Sequence, residues 1–235
     1  MPAPRTRDDL LVIVPTRGRP DSVPQLLTAW RETGATADLL FAIDEDDPRR
    51  DDYLAHTDAE FTVGPRLRLV GTLNDVAVGQ APRYRFLAFM GDDHRPRPAD
   101  RPWDARIREC LSGGPGIVYG NDLLQGEAIP TAVAMTSDIV TALGYMAPPS
   151  MVHLCVDLVW KDWGIGMGRI TYLPDMIIEH LHPANGKAEL DPGYEECNST
   201  AQVDHDTAAY YAYRDGGGLD TDLTRLRALL EDGPR

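Results

Sequence analysis

Residues 85–94 read RFLAFMGDDH, an apolar run that ends in two adjacent carboxylates and an imidazole. The run has the length and composition of a buried β-strand. Asp92 and Asp93 therefore lie where this strand leaves its sheet, and two adjacent negative charges require solvent, a cation or a cationic partner. Because ligands of α/β proteins bind at the carboxyl ends of the strands, the stretch predicts a divalent-metal or ligand site.

Short apolar runs alternate with amphipathic segments along the rest of the chain. This alternation predicts an α/β fold with an open, mostly parallel central sheet, helices on both faces and a helical C-terminal tail. The predicted strands cover residues 10–15, 38–44, 66–71, 85–91, 117–119, 132–135, 170–173 and 176–178. The predicted helices cover residues 22–33, 74–84, 103–111, 137–143, 151–163, 204–214 and 220–230.

The composition indicates a protein of the cytoplasm, either a bacterial cytosol or the host cytosol of a phage. Residues 1–5 lack the apolar segment of a signal peptide, no apolar stretch approaches the ~18 residues of a membrane span, and the three cysteines have no metal or redox spacing. Only two lysines occur beside many arginines, which indicates a G+C-rich genome such as that of an actinobacterium or one of its phages.

The net charge of −14 lies mostly in the second half of the chain. Residues 1–110 carry 16 Arg and 19 Asp+Glu, a net −3, whereas residues 111–235 carry 7 Lys+Arg and 18 Asp+Glu, a net −11. The second half would therefore repel a long polyanion such as DNA. Five arginines between residues 95 and 108 form a local basic stretch, which is either a solvated face or a surface for phosphate.

Other acidic residues are expected at the same edge of the sheet as Asp92 and Asp93. Asp44 ends the second predicted strand, and Asp157 follows further along the chain. Carboxylate and imidazole donors together suit Mn²⁺ or Mg²⁺ better than Zn²⁺. His180 or His182, which follow the last predicted strand, supplies the imidazole.

The order of these motifs resembles that of family 2 glycosyltransferases, which have the GT-A fold. The resemblance covers about residues 10–183. It rests on Leu10–Pro20 as first strand and nucleotide loop, Ile43-Asp44 as second strand end, Phe89–Asp93 as the metal-binding Asp-x-Asp region, Leu143–Tyr145 as acceptor-side turn, Val156-Asp157 as the Glu-Asp motif, and Tyr172–His180 as closing strand.

The resemblance implies a metal-dependent glycosyltransferase that moves one hexosyl or pentosyl group from a nucleotide-diphosphate sugar to an acceptor hydroxyl, with inversion. A UDP-sugar is the favoured donor, and the acceptor is a small molecule, a glycan, a protein or a modified DNA base. The implied catalytic base is Asp157, with Asp162 as its rival, and the implied ligands of Mn²⁺ or Mg²⁺ are Asp93 and His180. The implied nucleotide-sugar contacts are Pro15, Thr16, Arg17, Arg19, Asp44, Asn74 and Asp92.

Two positions depart from the family pattern, since Gly91 replaces the first acid of Asp-x-Asp and Val156 replaces the Glu of Glu-Asp. The motif of processive polysaccharide synthases is missing from the sequence, and no membrane segment follows, so a single transfer without a membrane partner is expected. A nucleotidyltransferase of related fold is one alternative, although the loop Thr16–Pro20 has a single glycine where such enzymes have a glycine-rich loop. A non-catalytic nucleotide- or sugar-binding module is the other.

The predicted organisation is a catalytic domain over residues 1–183, followed by a flexible loop and C-terminal helices over residues 184–235 that pack on the same domain. Within the catalytic domain, residues 1–98 form the nucleotide-sugar half and residues 99–183 the acceptor half.

Overall fold

The computed structural model describes residues 9–231. The prediction that residues 1–5 lack a signal peptide lies outside this range. The start of the predicted catalytic domain (1–183) and the end of the predicted C-terminal segment (184–235) also lie outside it. Eight strands form one sheet in the order β3-β2-β1-β4-β7-β6-β8-β5. They are β1 (Leu10–Thr16), β2 (Asp38–Asp44), β3 (Glu60–Gly64), β4 (Phe86–Phe89), β5 (His94–Pro96), β6 (Ile117–Asn121), β7 (Val133–Thr136) and β8 (Ile170–His180).

Nine α-helices of the described residues surround this sheet. They are α1 (Ser22–Thr33), α2 (Arg50–Leu54), α3 (Arg68–Gln80), α4 (Trp103–Leu111), α5 (Ser137–Leu143), α6 (Val156–Met167), α7 (Pro192–Cys197), α8 (Thr200–Asp215) and α9 (Gly218–Glu231). A short 3-10 turn occupies Pro183–Asn185. No helix within residues 9–231 combines the length and the apolar character that crossing a membrane requires.

The first half of the sheet is parallel, and the second half is mixed. β1 pairs in parallel with β2 and β4, and β2 pairs in parallel with β3. β7 lies antiparallel between β4 and β6, and β8 runs parallel to β6 but antiparallel to β5. Because β1, β2 and β4 run in the same direction, Thr16, Asp44 and the turn after Phe89 lie at one edge, as the sequence predicts.

Side chains of β1 alternate between two apolar cores. Leu10, Val12 and Val14 pack with helices α1 and α4 on one face of the sheet. Leu11 and Ile13 pack with α3, α5, α6 and the C-terminal helices on the other face. Each fully buried aliphatic side chain stabilises the fold by roughly 1.5–3 kcal/mol. The predicted fold class, with helices on both faces and a helical C-terminal tail, is confirmed.

The strand predicted over residues 66–71 is wrong, because helix α3 begins at Arg68. The alternation of Arg and Leu over a few residues fits a strand, but the longer pattern of Val70, Leu73 and Ala77 is helical, and all three side chains are buried. The real strand is β3, which lies at the end of the sheet with mostly half-exposed side chains. Such an edge strand carries only a weak apolar signal.

Three segments near the C-terminus differ from their predicted limits. Helix α6 begins at Val156 rather than at 151, because Cys155 before it has a left-handed backbone with φ 65°. The two strands predicted around Pro174 form one continuous strand, β8. The segment predicted as a flexible loop after residue 183 contains α7, which lies against the cavity described below.

Candidate active site

A cavity of about 610 Å³ opens at the edge of the sheet where β1, β2 and β4 end. It is lined by side chains from five segments, which are the loop after β1, the turn after β4, the start of α6, the end of β8 and α7. It brings together nine of the ten residues predicted for the site, namely Pro15, Thr16, Arg17, Arg19, Asp44, Asp92, Asp93, Asp157 and His180.

Asp92 is held by the loop that follows β1. The Thr16 hydroxyl donates to Oδ2 of Asp92 at 2.6 Å, and Nη1 of Arg19 donates to Oδ1 at 2.9 Å. The Tyr53 hydroxyl, 3.0 Å from Oγ1 of Thr16, accepts the backbone N–H of Arg19 at 2.6 Å, which fixes this loop against helix α2. Burial and then the neighbouring charge of Asp93 raise the pKa of Asp92, so the carboxylate depends on these donors.

Asp44 is another acidic side chain of the cavity, and it lies beside two arginines. Nη1 of Arg17 donates to Oδ2 of Asp44 at 2.9 Å and to Oδ1 of Asp46 at 2.6 Å. Nε of Arg66 lies 3.9 Å from the same oxygen of Asp44. Burial raises the pKa of Asp44 against the opposing effect of Arg17. A carboxylate between two guanidinium groups can recognise a ring that presents an N–H beside carbonyl oxygens.

Asp93, His94 and His180 form a group that could hold a metal ion, with one ligand atom from each lying within 4.8 Å of the others. The carboxylate of Asp93 contacts one nitrogen of each ring, with Oδ1 3.2 Å from Nδ1 of His94 and Oδ2 3.4 Å from Nε2 of His180. The two imidazole rings stack with their centroids 4.3 Å apart. His94 was not among the predicted ligands, although it adjoins the acidic pair in the sequence.

The residues of this group fit a divalent cation. A carboxylate with two imidazoles is a common donor set for such ions. With the ring proton on Nδ1, which lies 3.2 Å from Oδ1 of Asp93, the buried Nε2 of His94 keeps its lone pair and has no hydrogen-bond partner among the described residues. A buried ring nitrogen without a partner is costly unless something binds it.

Gly91 is explained by the same geometry. A Cβ at this position would lie 2.6 Å from Oδ1 of Asp93 and 2.9 Å from Nδ1 of His94. A side chain therefore does not fit at position 91 while Asp93 and His94 keep their places. The acid that the family pattern places there is excluded sterically, and Asp92 is the acid held next to Asp93.

Asp122, a residue that sequence reasoning missed, accepts the backbone N–H of His180 on its carbonyl oxygen at 2.9 Å. Oδ2 of Asp122 lies 3.9 Å from Nδ1 of His180, while its Oδ1 accepts the backbone N–H groups of residues 124, 125 and 126 at 3.0, 2.7 and 2.8 Å. Burial would lower the pKa of His180, but Asp122 and Asp93 raise it to about 9. His182 instead accepts the N–H of Ala184 at 3.0 Å and caps the following turn.

Asp157 lies in the first turn of α6 and lines the cavity. Its Oδ1 accepts the backbone N–H of Leu158 at 2.9 Å. Burial raises the pKa of Asp157, which makes this carboxylate a better proton acceptor than a solvated one. Its rival Asp162 does not line the cavity and accepts the hydroxyl of Tyr210 at 2.9 Å.

Asn74, predicted as a nucleotide-sugar contact, is not among the residues that line the cavity. Its amide holds a loop between α5 and α6. Nδ2 donates to the carbonyl of Ala147 at 2.8 Å, and Oδ1 accepts the N–H groups of Met146 and Ala147 at 2.8 and 2.9 Å. These contacts give Asn74 a structural role.

Helix α7 contributes three polar side chains that the sequence did not indicate. Asp191, immediately before the helix, receives two hydrogen bonds from Arg19. The Tyr194 hydroxyl donates to Oδ2 of Asp93. Glu196 pairs with Arg66 and Arg68. These contacts join residues more than 100 positions apart, so no local pattern could reveal them.

Solved structures with a similar fold include glycosyltransferases. The chain matches the mannosyltransferase PcManGT of Pyrobaculum calidifontis, solved with GDP-Man and Mn²⁺, at a TM-score of 0.58 and 16% identity, over 99% of this chain and 76% of that one. The chain has a GT-A-like glycosyltransferase fold. No protein-family model matches it, and a search of curated proteins finds no match either.

Two further solved structures share this GT-A-like fold. TarS 1–349 of S. aureus in complex with UDP-GlcNAc has a TM-score of 0.52 and 11% identity, over 89% of this chain and 75% of that one. Glucosyl-3-phosphoglycerate synthase of Mycobacterium tuberculosis, in complex with Mn²⁺, UDP and phosphoglyceric acid, has a TM-score of 0.54 and 11% identity, over 86% and 77%. At these identities the likeness concerns the fold.

Proposed function

We propose that the protein is a metal-dependent glycosyltransferase that moves one hexosyl or pentosyl group from a nucleotide-diphosphate sugar to an acceptor hydroxyl, with inversion. The observation that supports this most is one shared cavity in a GT-A-like fold. Asp157 lines it together with the acidic strand ends and the group of Asp93, His94 and His180. A binding module would need no half-buried carboxylate with a raised pKa in the same cavity as such a group.

Within this proposal, the side chains of the cavity divide the reaction between donor and acceptor. Pro15, Thr16 and Asp44 receive the nucleotide, since they end the parallel strands where nucleotides bind in such sheets. Arg17 and Arg19 present guanidinium groups whose planar donors match phosphate oxygens. Asp92 is fixed by Thr16 and Arg19 for contact with the ribose or a metal-bound water.

Asp157 is the proposed general base. It takes the proton of the acceptor hydroxyl while the acceptor oxygen forms a bond to the anomeric carbon. The bond between that carbon and the diphosphate breaks, and its electron pair leaves with the diphosphate. One base and one displacement invert the anomeric carbon.

Asp93, His94 and His180 would hold the divalent ion of this reaction, either Mn²⁺ or Mg²⁺. Once bound, such an ion supplies Lewis-acid stabilisation of the negative charge on the leaving diphosphate. The carboxylate of Asp122 lies 3.9 Å from Nδ1 of His180 and accepts the N–H groups of residues 124–126, so its charge acts on the ion-binding group and its hydrogen bonds hold one wall of the cavity.

We also propose a division of the chain into a nucleotide-sugar half over residues 1–98, an acceptor half over residues 99–183, and a C-terminal segment over residues 184–235 that belongs to the same domain. A UDP-sugar is the first donor to test, and a GDP-sugar the second, because the solved neighbours include complexes with UDP-GlcNAc, UDP and GDP-Man. The acceptor is a hydroxyl of a small molecule, a glycan, a protein or a modified DNA base. A cytoplasmic location and an actinobacterial or phage origin stay predictions.

The proposal is tested by incubating the protein with a panel of UDP- and GDP-sugars, with Mn²⁺, with Mg²⁺ or with a chelator. We expect hydrolysis of at least one donor that depends on the divalent ion. We also expect NMR to show that the released sugar has the inverted anomeric configuration. Release of pyrophosphate from a nucleoside triphosphate and a sugar phosphate would favour a nucleotidyltransferase instead. Binding of UDP or GDP without any turnover would favour a binding module.

A further inference from the structure

Helix α7 and the residue before it place carboxylates on arginines of the cavity, and a diphosphate would offer these arginines the same kind of oxygen. Three side chains of this segment contact groups that line the cavity, and two of them, Asp191 and Glu196, place a carboxylate on arginine. Carboxylate and phosphate oxygens make equivalent paired contacts with a guanidinium group. The acidic side chains of α7 therefore lie where an anionic ligand of these arginines would lie.

Asp191 binds one side of the Arg19 guanidinium group through two hydrogen bonds. Nε of Arg19 donates to Oδ2 of Asp191 at 2.6 Å, and Nη2 donates to Oδ1 at 2.8 Å, so the pair is bidentate. The guanidinium carbon of Arg19 also lies 4.3 Å from the centroid of the Tyr194 ring. The remaining nitrogen of Arg19, Nη1, donates to Oδ1 of Asp92.

Glu196 pairs with two further arginines, Arg66 and Arg68, which no sequence motif indicated. Its carboxylate accepts from Nη2 of Arg66 at 2.8 and 2.9 Å and also from Nη1 of Arg68. Arg66 and Arg68 both line the cavity, as Glu196 does. Arg68 is placed there by a left-handed backbone with φ 62°, a conformation that a non-glycine residue adopts only when its surroundings impose it.

We propose that Arg19, Arg66 and Arg68 bind the phosphate groups of the donor, and that the carboxylates of Asp191 and Glu196 occupy this anion site until the donor displaces them. This proposal rests on the proposed function, since it takes the diphosphate of a nucleotide-sugar as the anion. It adds two binding residues, Arg66 and Arg68, and it assigns α7 the role of an internal competitor.

The exposure of these pairs allows the exchange. The side chains of Arg68 and Glu196 are 45% and 44% exposed, and those of Arg19 and Asp191 are 24% and 36% exposed. Ion pairs with this access to water stabilise a fold only weakly, so they are readily replaced. The diphosphate of a nucleotide-sugar carries two negative charges, as the two carboxylates together do, so it can replace them beside the three arginines without a change of net charge.

The test compares the binding of inorganic pyrophosphate, in metal-free buffer, and of UDP and GDP by isothermal titration calorimetry. The variant Asp191→Asn/Glu196→Gln removes both internal carboxylates and keeps their shape. We expect it to bind pyrophosphate and at least one of the two nucleotides at least about threefold more tightly than the wild type. The variant Arg66→Gln/Arg68→Gln is expected to bind them at least about tenfold more weakly.

The matched control is Glu189→Gln/Glu195→Gln, which changes the same net charge in the same segment at exposed residues that do not line the cavity. We expect it to bind as the wild type does. Equal or weaker binding by Asp191→Asn/Glu196→Gln, or equal tightening in the control, overturns the proposal. If the double variant does not fold by circular dichroism, the single variants Asp191→Asn and Glu196→Gln give the same comparison.

Failure of this inference is distinguishable from failure of the proposed function. A protein that turns over nucleotide-sugars without tighter binding in Asp191→Asn/Glu196→Gln retains the function and loses the internal competitor. A protein in which that variant binds pyrophosphate more tightly, while no nucleotide-sugar is turned over, retains the anion site and loses the glycosyltransferase.

Discussion

The hydroxyl of Tyr194 donates a hydrogen bond to Oδ2 of Asp93, across 101 positions of the chain. The same oxygen lies 3.4 Å from Nε2 of His180. Helix α7 therefore contacts the group proposed to hold the metal as well as the arginines proposed to hold phosphate. A hydroxyl that donates to a carboxylate lowers the ability of that carboxylate to bind a cation, because both compete for its lone pairs.

Tyr194→Phe is expected to increase the affinity for Mn²⁺. The ring that packs against Arg19 and His182 is kept, while the proton that competes for Asp93 is lost. A hydrogen bond to a charged group contributes about 1.5–3 kcal/mol, which corresponds to roughly tenfold in affinity or more. Mn²⁺ titration followed by electron paramagnetic resonance measures the change. Tyr211→Phe, on the exposed side of α8, is the control, and unchanged affinity in Tyr194→Phe would contradict the competition.

Asp157→Asn is expected to reduce sugar transfer by about 10²–10⁴-fold while UDP and GDP bind as before, because the amide cannot accept the proton of the acceptor. Asp162→Asn is the matched control on the same helix, since Asp162 pairs with Tyr210 and does not line the cavity. Steady-state transfer rates and nucleotide titrations give the two readouts. Full transfer by Asp157→Asn would show that the base lies elsewhere.

The acidic strand ends were predictable because each follows an apolar run. β1, β2 and β4 are buried on both faces and pair in parallel, so their sequences are continuous apolar stretches and their ends meet. Asp44, Asp92 and Asp93 could be placed together on that ground alone. β3 was missed because it is an edge strand with few buried residues.

The contacts of α7 were not predictable, since no local pattern relates Asp191 to Arg19 or Glu196 to Arg68. Asp122 was missed for a different reason. Its acceptance of three backbone N–H groups is a property of the loop that follows β6, and any Asp in a turn can do this. Asn74 was predicted as a nucleotide-sugar contact, and the sequence did not indicate that its amide holds the loop at residues 146–147.

Gly91→Ala is expected to weaken Mn²⁺ binding without unfolding the protein. The new Cβ would lie 2.6 Å from Oδ1 of Asp93, so this carboxylate must rotate away from its contacts with His94 and His180. We expect a loss of about tenfold or more in Mn²⁺ affinity, since ligand orientation sets affinity at such sites. Gly79→Ala, which meets nothing within 4 Å, is the control. Equal affinity in both variants would show that position 91 does not constrain the site.

Asn74→Ala is expected to lower the free energy of unfolding by about 2 kcal/mol, because it leaves the N–H groups of Met146 and Ala147 without their acceptor. Urea denaturation measures the loss, with the exposed neighbour Asp75→Ala as control. The affinity for UDP and GDP should stay at the wild-type value. A selective loss of nucleotide affinity, with stability unchanged, would restore Asn74 to the binding site.

Asp206 joins α8 to the loop that lines the cavity beside α6. Its carboxylate is fully buried and accepts the N–H groups of Val152, His153 and Leu154 at 2.8, 2.9 and 2.6 Å. Burial alone would raise the pKa of Asp206, but these hydrogen bonds, with His205, hold it below the usual value. The ionised carboxylate is therefore stabilised more in the folded than in the unfolded protein.

Because the folded-state pKa of Asp206 is lowered, its contribution is fully present above the unfolded pKa of about 3.9 and is lost as the pH falls through the folded value. Asp206→Asn should lower the free energy of unfolding by about 2 kcal/mol at pH 7, and this difference from wild type should shrink as the pH falls below about 4. Urea denaturation between pH 7 and pH 3 measures it. Asp204→Asn, exposed on the same helix, should match the wild type throughout. A difference that stays constant with pH would mean that Asp206 acts by packing rather than by its charge.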